Sequence, residues 1–346
     1  MTITEWRHTA INILIPSYEP DGRLVTLIEQ LRAIGSFPIV VVDDGSGAAY
    51  RELFSSVREL GCTVITHSIN KGKGHALKAG FHYFQQKDIT DGIVCADSDG
   101  QHLPQDIMKI ASSIQEYNQH IVLGSRRFTG KVPLRSRFGN TATRLVYSFA
   151  TGNRLYDTQT GLRGYSAHML SWLCRIPGDR FEYEMNLLLE APAAGFSFHE
   201  VPIDTIYLDH NESSHFRPIT DSARIYAPFI AFSASSLLSA AIDFLLLALI
   251  HLFSSSLLFA VLGARLASSI FNYTMNKRYV FSKGKRAAIK RSMPKYFALV
   301  AVIFSLNYGL MLLFNERLGI PLLVAKLLTE ASLFAFSYYA QRRFVY

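Results

Sequence analysis

The stretch Ile93-Val94-Cys95-Ala96-Asp97-Ser98-Asp99-Gly100-Gln101 decides how this chain is read. Its first four residues form an unbroken apolar run closed by polar turn formers, the pattern of a strand buried on both faces. Two carboxylates, two residues apart, stand where that strand ends. Outward from it, similar runs recur at Ile11–Ile15, Ile39–Val42, Thr63–Thr66 and Ile121–Leu123. Helical patterns fill the intervals, near Gly22–Ile34, Tyr50–Leu60, Gly74–Phe84, Pro104–Tyr117 and Phe138–Phe149. Val/Ile-rich strands alternating with helices predict an α/β fold with a mainly parallel sheet. In such a sheet ligands lie beyond the carboxyl ends of the strands. The conspicuous polar residues fall there: Pro16-Ser17-Tyr18, Asp43-Asp44-Gly45-Ser46, Asp97-Ser98-Asp99 and Gly124-Ser125-Arg126.

The spacing of Asp97 and Asp99 lets two carboxylates face one divalent cation. A nucleotide-sugar needs such an ion, because its diphosphate leaving group carries negative charge that a hard cation neutralises. Asp43 and Asp44 suit ribose or base hydroxyl and amine groups, although Asp-Gly-Ser is also an ordinary turn. Asn70-Lys71-Gly72-Lys73-Gly74 enters a helix, where backbone N–H groups and Lys73 suit a phosphate. It has neither the spacing of a Walker A loop nor a third glycine in dinucleotide-binding register. Arg126, Arg127, Lys131, Arg135 and Arg137 put five basic residues within twelve positions, reading as an anion-capturing loop or as a solvated charge run. Asp157-Thr158-Gln159-Thr160-Gly161-Leu162-Arg163 is too polar for core. In Phe181-Glu182-Tyr183-Glu184, either acid reads equally as a helix N-terminal cap.

Charge divides the 346 residues unequally. Residues 1–226 hold 22 Lys+Arg against 24 Asp+Glu, while residues 227–346 hold 13 against 3. The whole basic excess of +8 therefore accompanies apolar sequence, which points to a membrane rather than to nucleic acid. Cys62, Cys95 and Cys174 match no zinc spacing and read as buried thiols in a reducing compartment. The start of the chain, Met1–Ala10, is polar and has no signal-peptide core. Uncharged runs cover Ile225–Ile242, the stretch after Asp243 as far as Ala264, and Tyr296–Asn315; a weaker one covers Leu318–Ala340. They predict four transmembrane helices. Lys277, Arg278, Lys283, Lys285, Arg286, Lys290, Arg291 and Lys295 fill the loop between the second and third, and Arg342 and Arg343 follow the fourth. The positive-inside rule then puts both termini in the cytoplasm. The expected domains are residues 1–225, soluble, and 226–346, membrane-spanning.

Phe271-Asn272-Tyr273-Thr274-Met275-Asn276-Lys277-Arg278-Tyr279-Val280-Phe281 matches Phe336 to Tyr346 at an offset of 65. A duplicated two-helix hairpin is the expectation. The same offset pairs Arg265 with Glu330, predicting that they neutralise each other within the bundle, with Asn307 available to Asp243.

Together these motifs resemble the family 2 glycosyltransferases of the dolichol-phosphate mannose synthase and bactoprenol glucosyltransferase type, over about 210 residues in consistent order. The four-helix part resembles the GtrA-like family. The resemblance implies a Rossmann-like GT-A domain followed by an all-α four-helix transmembrane domain. It implies inverting transfer of a hexose, from a UDP-glucose or GDP-mannose type of donor, to a polyprenyl phosphate at the cytoplasmic face of the plasma membrane. Pro16, Tyr18, Glu19, Asp43, Asp44, Lys73, Asp97 and Ser98 would bind the nucleotide-sugar. Asp99 with Gln101 would hold Mg²⁺ or Mn²⁺. Arg126, Arg135, Arg137, Arg163 and His215 would meet the acceptor phosphate, His215 replacing a family lysine. The catalytic set would be Asp99, Arg126 and Asp157, the last as base, orienting group or structural residue. Association through the membrane part is implied as well. Two competing readings are a flippase or transporter of a lipid-linked sugar and a processive polysaccharide synthase. The latter lacks its Gln-x-x-Arg-Trp motif here.

Overall fold

The computed structural model describes residues 11–126, 140, 141, 143, 144, 147, 148, 151–204, 218–254, 257–281 and 289–345. The chain divides into two compact units, Met1–Ser222 and Ala223–Tyr346.

In the first unit, strands β1 (Ile11–Ser17), β2 (Ile39–Asp43), β3 (Thr63–Thr66), β4 (Gly92–Cys95), β5 (His120–Arg126), β6 (Arg163–Tyr165) and β7 (Ser197–Ile203) form one sheet. Their order is β3-β2-β1-β4-β6-β5-β7. All neighbours run parallel except β6, which is antiparallel to β4 and to β5. Every residue of β1 and β2 is buried, as continuous apolar strands under helices on both faces must be. Helices α1 (Gly22–Ile34), α2 (Arg51–Glu59), α3 (Lys73–Gln86), α4 (Pro104–Glu116) and α5 (Glu182–Glu190) supply that cover. Asp21 caps α1 by accepting from the Arg23 N–H, and Pro104 opens α4. Leu24, Ile28 and Leu31 of α1 and Ile107, Ile110 and Ile114 of α4 bury one apolar stripe each against the sheet.

The five expected strands are present, and two more appear. β6 is three residues long and contains Gly164, where an added Cβ would lie 2.7 Å from Ile110 Cγ2. β7 is an edge strand holding Pro202, a position where the missing N–H costs no ladder bond. Of the helix expected over residues 138–149, the described positions 140, 141, 143, 144, 147 and 148 are helical. Ser17 stands opposite Asp43, and Leu14 opposite Cys95. This register brings the loops after β1, β2 and β4 to one edge.

The second unit contains most of α6 (Pro218–Phe253), with α7 (Leu257–Met275), α8 (Ile289–Met311) and α9 (Leu322–Ala340). Among the described residues, Ile230–Ile250 and Ile289–Arg317 are long and apolar enough to cross a bilayer. Only 11% of the first window and 0% of the second is buried, unlike core helices of a soluble protein. α7 and α9 carry Arg265 and Glu330 and are 19 residues each. The repeat is visible in the backbone. A π-helical turn follows α7 at Asn276–Val280 and another follows α9 at Gln341–Val345, again 65 positions apart. The copies meet where Asn276 Nδ2 donates to Gln341 Oε1 at 3.0 Å. Asn272 extends this seam, donating to Ser239 Oγ at 3.0 Å and accepting from Tyr296 OH at 3.0 Å.

The expected charge pairing is exchanged. Arg265 Nη2 lies 3.6 Å from Asp243 Oδ2, and Asn307 Nδ2 donates to Glu330 Oε1 at 3.2 Å. The reason is that α6 ends at Phe253 and α7 begins at Leu257, and Asp243 of the one stands beside Arg265 of the other. Ser268 Oγ also donates to Asp243 Oδ1 at 2.8 Å.

Candidate active site

The acidic turn after β4 is held from several directions. Lys73 Nζ at the start of α3 lies 2.7 Å from Asp97 Oδ1 and 3.1 Å from Glu184 Oε2 on α5. The Asp97 N–H donates to His102 Nδ1 at 3.0 Å. At Gly161 an added Cβ would fall 2.2 Å from Asp97 Oδ2, so this glycine admits the carboxylate. Burial opposes the charge on Asp97, yet Lys73 and then His102 hold its carboxyl down to about 2. Burial and then the charge of Asp97 push Asp99 above the ordinary carboxylate range. Asp99 therefore sits beside a carboxylate that already has its ammonium. An added cation would relieve Asp99, and the residues fit one on that account. Asp99 Oδ1 also accepts the Gln101 N–H at 3.0 Å, which folds the two side chains' backbone into one turn. Among the described residues no group of three or more His, Cys, Asp or Glu gathers around a metal position. Asp99 and Gln101 would thus be a sparse set, of the kind Mg²⁺ accepts when phosphates and water complete its shell. Ser98 is in the same turn.

The two aspartates after β2 separate in role. Asp44 accepts the Lys71 N–H at 3.0 Å, the Gly72 N–H at 2.6 Å and His67 Nδ1 at 2.8 Å. It is a buried clamp on the loop before α3. Asp43 Oδ1 accepts the Ser46 N–H at 2.9 Å, and Asp43 borders a cavity of about 450 Å³ with Arg51, Thr66 and His67. Of the pair, Asp43 is the one that borders this cavity. At the entrance to α3 several backbone N–H groups are already committed within the protein. Besides the two N–H groups on Asp44, the His75 N–H goes to Asp179 O at 2.9 Å. Gly72, at φ +105°, and Gly74 serve close packing: added Cβ atoms would lie 2.5 Å from Asp179 O and from Tyr183 Cβ. Pro16 ends buried in β1. Glu19 adopts φ +46° and its N–H donates to Ser46 Oγ at 2.9 Å. A hydrogen bond from the Tyr18 hydroxyl to Glu19 raises the tyrosine's pKa.

After β5, Arg126 meets Asp157 in a fork. Arg126 Nε donates to Oδ2 at 2.6 Å and Nη2 to Oδ1 at 3.1 Å. The N–H groups of Arg126 and Gln159 reach the same carboxylate at 3.3 and 3.0 Å. Four donors occupy the roughly four lone-pair directions of a carboxylate. Asp157 is wholly buried and Arg126 is 21% exposed. Asp157 thus fixes the direction of the Arg126 side chain. Glu200 on β7, which no sequence pattern singled out, braces the turn by accepting the Tyr156 and Asp157 N–H groups at 2.9 and 3.2 Å.

Arg163 corrects an expectation. It is 1% exposed and donates to Thr160 O at 2.9 Å, Glu184 O at 3.0 Å and Thr158 O at 3.5 Å. Enclosed in β6 and donating to three carbonyls, it is turned into the unit's interior rather than toward an acceptor phosphate. Arg135, Arg137 and His215 lie outside the described residues. The two acids of α5 also divide. Glu182 Oε1 ties down the turn before the helix by accepting the Asp179 and Arg180 N–H groups at 3.1 and 3.3 Å, whereas Glu184 turns to Lys73.

Residues 12–171 match the model of glycosyl transferase family 2, and residues 231–346 match that of the GtrA/DPMS transmembrane domain. The chain therefore joins a family 2 glycosyltransferase domain to a GtrA/DPMS membrane domain. UDP-N-acetylglucosamine–dolichyl-phosphate N-acetylglucosaminyltransferase of Methanococcus voltae is 28% identical over 222 residues, 58% of this chain and 87% of its own. Dolichyl-phosphate beta-glucosyltransferase of Saccharomyces cerevisiae is 27% identical over 227 residues, 56% of this chain and 66% of its own. The fold is shared with glucosyl-3-phosphoglycerate synthase of Mycobacterium tuberculosis, in complex with Mn²⁺, UDP and phosphoglyceric acid. That match has a TM-score of 0.50 and 16% identity, and covers 66% of this chain and 80% of that one.

Proposed function

We propose that this protein transfers a hexose, with inversion, from a nucleotide-sugar to a polyprenyl phosphate at the cytoplasmic face of a membrane. The observation that carries the reading is that two charged clusters lie at the carboxyl ends of parallel strands: Asp97 and Asp99 after β4, and Arg126, paired with Asp157, at the end of β5. The dolichyl-phosphate acceptors named for the two relatives support the lipid, and the M. voltae relative supports a UDP-sugar over a GDP-sugar.

Pro16, Tyr18, Glu19 and Asp43 face the nucleoside, Asp44 fixes the loop beside it, and Lys73, Asp97 and Ser98 border the diphosphate. Asp99 and Gln101 hold Mg²⁺ or Mn²⁺, which when bound offsets the charge of the departing diphosphate. Arg126, with Arg135, Arg137 and His215, holds the acceptor phosphate. A phosphate monoester has a second pKa of about 6, so it arrives largely dianionic and attacks without a strong base. Positioning and electrostatics then provide most of the rate. Four helices cross the bilayer with both termini cytoplasmic.

The test is transfer from labelled UDP-glucose, UDP-N-acetylglucosamine and GDP-mannose to undecaprenyl or dolichyl phosphate, with and without EDTA. One EDTA-sensitive, chloroform-soluble product is expected. Binding of a lipid-linked sugar with no transfer from any donor would favour a flippase, and long polymeric product a processive synthase.

A further inference from the structure

Glu184 lies far along the chain from the acidic turn, yet its carboxylate is the second anion on Lys73. An ammonium has three N–H donors. In Lys73 one is directed to Asp97 Oδ1 at 2.7 Å and one to Glu184 Oε2 at 3.1 Å. The Phe181 ring stands 6.0 Å from Nζ and closes another side. The Lys73 side chain is 17% exposed and that of Glu184 13%, so these charges meet largely out of water. Two carboxylates on different elements hold the ammonium between them, at 2.7 Å on the Asp97 side and 3.1 Å on the Glu184 side. Glu184 is itself fixed: its helix is tied by Arg163 Nη1 donating to Glu184 O, and Arg163 Nε lies 4.0 Å from Glu184 Oε1.

We propose that Glu184 is a positioning residue for donor binding, fixing the Lys73 ammonium between itself and Asp97 so that the ammonium's remaining N–H meets the diphosphate of a nucleotide-sugar. This rests on the donor site proposed above. Glu184 touches neither donor nor acceptor, and acts through Lys73.

The test uses the full-length protein in lipid nanodiscs, with Glu184→Ala, Glu184→Gln, Lys73→Ala and the double variant Lys73→Ala/Glu184→Ala. UDP and GDP binding with Mg²⁺, thermal melting, and separate KM values for donor and acceptor are measured. Glu184→Ala is expected to weaken nucleotide binding and raise donor KM about tenfold, a difference of about 1.4 kcal/mol. Acceptor KM should stay within about twofold, and kcat within about threefold. Glu184→Gln keeps an oxygen for Lys73 and should recover part of the loss. The double variant should bind nucleotide no worse than Lys73→Ala, since contacting residues are non-additive. Three results would overturn the proposal: unchanged nucleotide affinity in Glu184→Ala, losses that multiply in the double variant, or a lower melting temperature with unaltered donor KM. If the wild type transfers no sugar, the function above fails, while nucleotide affinity still reads the role of Glu184.

Discussion

The two units handle charge in opposite ways. In the first, the ionic groups of the site are buried and tied to several partners: Lys73 between two carboxylates, Asp157 under four donors, Arg163 among carbonyls. In the second, Arg265 is 65% exposed and meets Asp243 at 3.6 Å, while the seam between the hairpins is made of neutral Asn272, Asn276, Tyr296 and Gln341. The lesson is that buried ions in the first unit set the positions of reactive loops, and neutral hydrogen bonds in the second set how two helix pairs join. A buried ion is worth its desolvation only when many partners hold it in one place.

That contrast predicts a graded series of variants. Asp99→Ala should lower transfer by on the order of 10³-fold, because charge stabilisation of the leaving group is lost; initial rates at saturating Mg²⁺ check this. Arg163→Met leaves carbonyls without their donors in the first unit and should cost about 3–5 kcal/mol, read by denaturant unfolding with little protein in the folded fraction. Asp157→Asn keeps the shape but weakens the fork on Arg126, and kcat should fall about 10- to 100-fold with donor KM unchanged. A fall beyond about 10⁴-fold, with loss of the acidic limb of the pH profile, would instead make Asp157 the base. In the second unit, Asn276→Ala should cost about 1 kcal/mol, and adding Gln341→Ala should cost little more, in a melting series in nanodiscs. Arg265→Gln, losing a long and exposed pair, should change the melting point least, by under about 1 kcal/mol. An Arg265 effect larger than that of Arg163 would break the comparison.

Much of this was legible in the sequence, for identifiable reasons. β1, β2 and β4 are unbroken apolar runs, so their ends, and with them Asp43, Asp97 and Asp99, were readable. The 65-residue repeat was readable because its copies share side-chain types, and it reappears as two π-helical turns. Arg163 was misread because its burial depends on β6, three residues with no periodic signal. Glu184 was seen as one of two acids at a helix start, but its partner Lys73 is set by the packing of α5 on α3. Glu200 gave no signal, since a glutamate on an edge strand usually meets solvent. The partner of Arg265 was misjudged because offset in a repeat fixes equivalence, whereas contact is fixed by the neighbouring helix of the same hairpin.

The central claim is that the acidic turn after β4 is the seat of metal-assisted transfer to lipid. The most direct measurement compares wild type and Asp99→Asn in the same membranes, with the accepted labelled nucleotide-sugar, polyprenyl phosphate and Mg²⁺. A chloroform-soluble product that EDTA removes in wild type, and that Asp99→Asn fails to make, is the predicted result. Product of undiminished yield and EDTA sensitivity in Asp99→Asn would contradict it.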